Sequence, residues 1–379
     1  MEDFGFFIWG DILKKSSVAC SVLVFFLLYS LIRYPAEMLA ASAESIQIWL
    51  TKVFPSLFPF AAACSILLQI GAAEQIGHIF RPMVKLLFGL EGISAFPFFS
   101  GILSGYPMGA KITAQLYEKR LISPQEAQHI LAFSNNPGPL FLVGTIGVGF
   151  FDMPFFGYLL LLCTFLGAVI TGTLWRFRKK EKPSHRPILS SASTEVPLTE
   201  VLSSSIADAV HTILLIGGYL ILFGAFSGAL KQTSVFSLLS DILFFLPFSA
   251  DALQGFCSGL LEMTSGAYLL SLAPEDLRLR LSAVAFLVSF GGFSILGQTF
   301  SILSAVPIHK KDYLKGKLCN ALFSSLFCYA LFPIFEQRAQ KAVPVSFIFT
   351  ETAFTLPFLW LLPSLFLIGV LSYAFMRNK

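Results

Sequence analysis

Two short segments, SGILSGYPMGA at residues 100–110 and SGLLEMTSGA at 258–267, align with one gap, and each interrupts an apolar run with small, polar and helix-breaking residues. A second pair, AFSNNPGPLFLVG at 132–144 and AFLVSFGGFSILG at 285–297, aligns without a gap. Ala132, Phe133, Gly138 and Gly144 match Ala285, Phe286, Gly291 and Gly297. A repeat of this length means that one structural plan is used twice. The breaks constrain the plan further. In hydrocarbon, an unpaired backbone N–H or C=O costs several kcal/mol, so an interrupted helix survives at membrane depth only where protein or a polar cavity satisfies it.

Composition places the chain in a membrane. Charged residues make up 13% of the sequence, about half the roughly 25% of soluble domains, and there are 42 phenylalanines. The small net charge of +4 does not suggest nucleic acid as a partner. The six cysteines lie in apolar runs without a CxxC pair or a histidine cluster, which argues against a zinc site or a disulfide framework. No Ser-His-Asp set, HExxH, P-loop or GxGxxG stands in a convincing frame, so we do not read the chain as an enzyme.

A bilayer needs about 20 apolar residues per helix. Eight runs qualify: 16–34, 50–71, 126–150, 154–175, 206–230, 281–304, 318–335 and 354–375. The broken stretches 94–118 and 250–273 read as helical hairpins that enter and leave by one side; re-entrant and double-crossing hairpins give the same parity. The first run is long for a signal peptide and reads as an anchor, although ASA at 41–43 resembles a cleavage site. The basic stretch RFRKKEKPSHR at 176–186 belongs in the cytoplasm by the positive-inside rule. Counting outward from it puts 18 of the 26 basic residues inside, Lys317 among them, and both termini in the cytoplasm of a multi-pass cell-membrane protein. Three crossings separate the starts of the two halves, so the second is inverted relative to the first.

The fold class expected is therefore an all-α integral membrane protein, an inverted-topology repeat with two re-entrant hairpins and broken transmembrane helices. We divide it into a tail and anchor (1–43), a first repeat (44–175, hairpin 94–118), a basic linker (176–204), a second repeat (205–336, hairpin 250–273) and a C-terminal span and tail (337–379).

The segments FSGILSGYPMGAK, EAQHILAFSNNPGPLFLVGTIGVG and SGLLEMTSGA resemble the sporulation integral membrane protein YlbJ family over roughly 45–335. That family is grouped with nucleoside-recognition (Gate) domains, which are similar to parts of concentrative nucleoside transporters and of ferrous-iron transport protein B. The resemblance implies a spore-forming bacterium and a part in building the spore coat or cortex. Where those transporters carry a charged or amide cluster in the first hairpin, this chain has Ser104, Tyr106 and Lys111.

The candidate ligand set follows from the breaks, where half-helix N-termini favour a polar or anionic group. Ser104-Gly105-Tyr106-Pro107 and Met263–Gly266 are the expected hairpin tips. Asn135 and Asn136 either cap the broken helix or contact a ligand. Glu262, beside Thr264 and Ser265, is an intramembrane acid, a type usually functional. It pairs with Lys111 or takes up a coupling Na⁺ or H⁺. Lys111 alternatively meets an anionic solute. Gln298 and Thr299 serve as ligands or as interhelical hydrogen bonds. Asp208 and His211 receive no role. We expect Asn135, Asn136 and Lys111 to approach Glu262, Thr264 and Ser265. The function expected is secondary transport of a small polar or anionic solute, with no cofactor beyond a coupling Na⁺ or H⁺. A non-transporting scaffold of the sporulation machinery is the alternative. The partners are the lipid bilayer and a small solute, and a homo-oligomer stays open.

Overall fold

A computed structural model describes Val18 and residues 21–177, 197–233, 235–242 and 249–339. The N-terminal tail, most of the basic linker and the run at 354–375 lie outside the described residues. Within them the regular structure is helical. The first repeat comprises α2 (Pro35–Ile48), α3 (Phe54–Gln69), α4 (Ala72–Phe88), α5 (Ala95–Ser104), α6 (Met108–Glu118), α7 (Pro124–Ser134) and α8 (Pro154–Trp175). The second comprises α9 (Leu198–Lys231), α10 (Val235–Ile242), α11 (Ala250–Leu261), α12 (Met263–Leu272), α13 (Leu277–Phe290), α14 (Gly292–Ile302) and α15 (Lys310–Ala339). A helix at Ser21–Arg33, α1, precedes both and meets α2 at 111°. The order is the same twice: a long helix, a shorter one, a hairpin, a broken helix and a closing helix.

The local causes are legible. A widened turn, Trp49–Val53, joins α2 to α3 just before Pro55, whose missing N–H and ring bulk disfavour a regular turn. α7 starts on a capping box: Ser123 accepts the Glu126 N–H, and the Glu126 carboxylate accepts the Ser123 N–H. Ser249 caps α11 and Asp276 caps α13 through their side chains.

Contacts fix the relation between the repeats. α2–α3 lies against α9, with Ala41 at Gly228, Ser45 at Gly224, the Trp49 indole N–H donating to the Ile213 carbonyl at 3.0 Å, and Gln69 donating to Ser205 at 2.9 Å. These pairs run in opposite sequence directions, so the equivalent long helices are antiparallel. α8 and α15, the closing helices, are antiparallel too: Phe156 stacks on Phe332 and Gly167 faces Asn320 and Ser324. Equivalent elements pointing in opposite directions are what an inverted repeat requires.

Four described helices are long and apolar enough to cross a membrane, and two bent pairs bring the total to six. α15 shows how polarity is turned inside out. Leu314, Leu318, Leu322 and Leu326 form an exposed stripe at four-residue spacing, while Tyr313, Lys317, Asn320 and Ser324 are buried on the opposite face. α2–α3 and α9 find most of their neighbours in each other and meet the remaining body along a narrower seam.

Candidate functional site

The hairpin breaks fall where the backbone can be closely covered. In the first, α5 ends at Ser104 and α6 begins at Met108, with Gly105 between them at φ 90°. A β-carbon there would come within 2.6 Å of the Gly138 N, so the tip sits directly on the break of the following span. The second broken span turns through Gly291 and Gly292, at φ 91° and 70°. Gly291 lies against Tyr106, and Gly292 against the backbone carbonyls of Gly259, Leu260 and Leu261. The α13–α14 break is thus touched by both hairpins.

The second tip differs from expectation. The chain breaks at Glu262 itself, with extended backbone, and α12 starts at Met263, so Thr264 and Ser265 lie in its first turn. The Glu262 carboxylate accepts the N–H groups of Thr264 and Ser265 at 2.9 and 2.8 Å. A carboxylate at a helix start satisfies free donors and faces the positive end of the dipole. Glu262→Ala should therefore destabilise the second hairpin by about 1–2 kcal/mol. The check is a thermal unfolding curve of purified protein, with Glu262→Asp recovering part of the loss.

The expected meeting of first-half and second-half side chains takes another form. Asn135 donates to Thr299 at 3.0 Å and to the Tyr313 hydroxyl at 2.9 Å, while the Asn320 amide donates to the Asn136 Oδ1 at 2.7 Å. Tyr106 donates its hydroxyl to the carbonyls at the end of α13, Ser289 at 2.9 Å and Val288 at 3.0 Å. Lys317 donates to the Tyr106 hydroxyl at 2.6 Å and to the Asn135 carbonyl at 2.7 Å. Tyr106, Asn135, Asn136 and Thr299 therefore belong to one buried network completed by α15, with Gln298 adjacent. Within it the Asn135 Oδ1 and the Ser289 hydroxyl are buried without hydrogen-bond partners, as is the Oε1 of Gln298, next to Thr299 in the sequence. Ser104, also buried, places its carbonyl against Gly138.

Lys111 does not reach Glu262. Its ammonium lies 2.7 Å from the Asp208 carboxylate and donates to Thr212 at 2.6 Å. The same carboxylate accepts from Gln115 and Ser65, both at 3.1 Å. One acid thus ties the first hairpin to both long helices. Glu262, Thr264 and Ser265 instead line a crevice with Glu44, Ser227 and Lys231, at the other end of the long pair. Asp208 and Ser227 are 19 positions apart on α9, about 28 Å at helical rise, which is why Lys111 and Glu262 take separate partners.

Sequence reasoning missed Asp208, Tyr313, Lys317 and Asn320. Asp208 carried a usable signal, being an acid inside an apolar helix of the kind that singled out Glu262. The sequence groups Lys317 with the basic residues at 310–315, but it turns to the buried face of α15.

Comparison with known proteins fits this geometry. Residues 50–154 match the Gate family, nucleoside recognition. A solved outward-facing structure of a concentrative nucleoside transporter, CNTnw, superposes with TM-score 0.51 at 14% identity, covering 86% of this chain and 87% of the other. That likeness is one of fold. The sporulation integral membrane protein YlbJ of Bacillus subtilis (strain 168) is 30% identical over 84% of this chain and 83% of its own length. With that identity across most of both sequences, the protein belongs to the YlbJ family of sporulation integral membrane proteins.

Proposed function

We propose that the protein is a secondary carrier for a small polar or anionic solute, driven by H⁺ or Na⁺ and serving spore coat or cortex formation. The observation that carries this reading is the convergence of both broken spans and the first hairpin tip on one buried polar network. That network sits in a body joined to the long helix pair by a polar seam. Broken helices stacked around a polar centre are what alternating access needs: the backbone groups freed at each break face a ligand instead of lipid. The seam supplies the second requirement, contacts between the two bodies that can be exchanged. Lys111 and Asp208 hold the first-hairpin end closed, and the crevice at Glu262 lies at the second-hairpin end.

Uptake into liposomes containing the purified protein, measured over a panel of labelled nucleosides, carboxylates and phosphate esters, tests the reading. At least one should enter faster than into empty liposomes and should be competed by its unlabelled form. A correctly inserted protein that moves none of them, in a strain whose spores depend on it, would favour the scaffold reading instead.

The proposed orientation has its own test. With both termini cytoplasmic, a cysteine placed at His185 should react with an impermeant reagent only from the inner face, and one at Gln340 only from the outer face. Labelling of both from one face would overturn it.

A further inference from the structure

Lys317 poses a chemical problem. Its side chain is 1% exposed, and among the described residues no carboxylate lies within ion-pair reach of it. A lone buried ammonium is costly unless something supplies negative potential. Two partners do so here. The Asn135 carbonyl, which accepts from Nζ, stands at the C-terminal end of α7 just after its last helical residue, Ser134. The Tyr106 hydroxyl accepts from Nζ and passes its own hydrogen to the carbonyls of Val288 and Ser289, at the C-terminal end of α13. The ammonium is thus held, directly and through one phenol, at the negative ends of two half-helix dipoles. Carbonyls at such ends, freed by a helix break, gather a coupling cation in secondary carriers. In this chain the gathered cation is covalently attached.

We propose that the Lys317 ammonium is the coupling cation of this protein, standing where a sodium ion would otherwise bind, so that the ion exchanged with solvent is the proton on Nζ. This rests on the carrier reading above. It narrows the two coupling ions offered there to one and moves the site from Glu262 to α15. In the exchange step an N–H bond of the ammonium breaks, the electron pair stays on Nζ and the proton passes to water on the open side. Re-entry of a proton from the other side restores the charge. The neutral amine no longer draws the ends of α7 and α13 towards α15, so the step loosens the first hairpin tip, through Tyr106, at the moment the charge leaves. The titratable groups facing Nζ are Tyr106 from the hairpin and Tyr313 from α15 itself. α7 and α13 present Asn135 and backbone carbonyls. α8 presents Gly167 against Asn320 and, further along, the Cys163 thiol, hydrogen-bonded to the free Cys328 thiol.

Thermal unfolding of the full chain in detergent, in NaCl against choline chloride at equal ionic strength, tests the proposal without knowledge of the solute. The wild type should show the same Tm in both salts. Lys317→Ala leaves the Asn135 carbonyl and the Tyr106 hydroxyl around the space of the ammonium, and it should gain a sodium-specific rise of about 3 °C or more. Lys317→Met fills that space without charge. It should show no sodium response, and the Tm difference between it and the wild type should change with pH. Sodium-specific stabilisation of the wild type overturns the proposal. So does a folded Lys317→Ala indifferent to sodium, or a pH-independent difference between wild type and Lys317→Met. If Lys317→Ala does not fold, the wild-type salt comparison and the Lys317→Met series still decide. These measurements read cation and proton binding alone, so a failed solute panel leaves them standing. If the panel yields a solute, a proton gradient should drive its uptake by the wild type and not by Lys317→Met, and a sodium gradient should drive neither.

Discussion

Substituting leucine for Gly109 is expected to leave almost no folded protein. Gly109 and Gly101 face each other across the first hairpin, and a β-carbon on either would overlap the Ser134 carbonyl oxygen. What lies there is the backbone of the last turn of α7, not the end of a flexible side chain, so nothing nearby can swing aside. Overpacking commonly costs about 1–3 kcal/mol where side chains can shift. Against fixed backbone the cost rises past about 4 kcal/mol, a large part of the roughly 5–15 kcal/mol that holds a domain together. Gly218→Ala is the matched control, because a β-carbon there meets nothing within 4 Å. Fluorescence-detected size exclusion should show a monodisperse peak for Gly218→Ala and an aggregated or absent one for Gly109→Leu. A normal peak for Gly109→Leu would mean that the hairpin does not pack on α7 as described.

The second large effect is expected from Asp208→Ala. Lys111 is buried, with 7% of its side chain exposed, while Asp208 is about one-third open. Removing the acid leaves an uncompensated ammonium and strips Gln115 and Ser65 of a shared acceptor. Breaking a fully buried pair costs about 3–5 kcal/mol. Solvent at Asp208 screens part of that, so we expect about 2–3 kcal/mol. The double variant Lys111→Met with Asp208→Ala should recover much of the loss, because it removes the stranded charge together with its partner. Unfolding midpoints of the two single variants and the double variant form a cycle. Strict additivity would count against the pair as a coupled unit.

The sequence carried the fold further than it carried the site. The breaks were readable because Pro107, the Asn135–Pro139 run and Gly291-Gly292 cannot continue a helix, and because the same punctuation recurs in the second half, in the same order. The inversion followed from counting crossings. The pairing of side chains was not readable, since it depends on which face of α15 turns inward. In the sequence, Lys317 follows a run of solvent-type lysines and Asn320 lies near the start of the apolar run 318–335. Only the packed helix shows that Tyr313, Lys317 and Asn320 share a buried face. Glu262 reads from the sequence as an intramembrane acid that needs a partner, and the helix start that satisfies it is visible only once Met263 is known to begin α12.

The two repeats match in design and differ in fastening. The first hairpin is bolted to α9 by an ion pair reinforced by three neutral side chains, whereas the acid of the second hairpin is spent on its own helix and the space beside it is a crevice. In the proposed carrier, symmetry of plan would make the two end states equal in energy, and unequal fastening removes that equality. Every 1.4 kcal/mol of difference tilts the populations tenfold. On the carrier reading, a pair worth about 2 kcal/mol would keep roughly 27 molecules in 28 with the first-hairpin side shut. A carrier built this way would wait facing one way and meet its cargo from that side first.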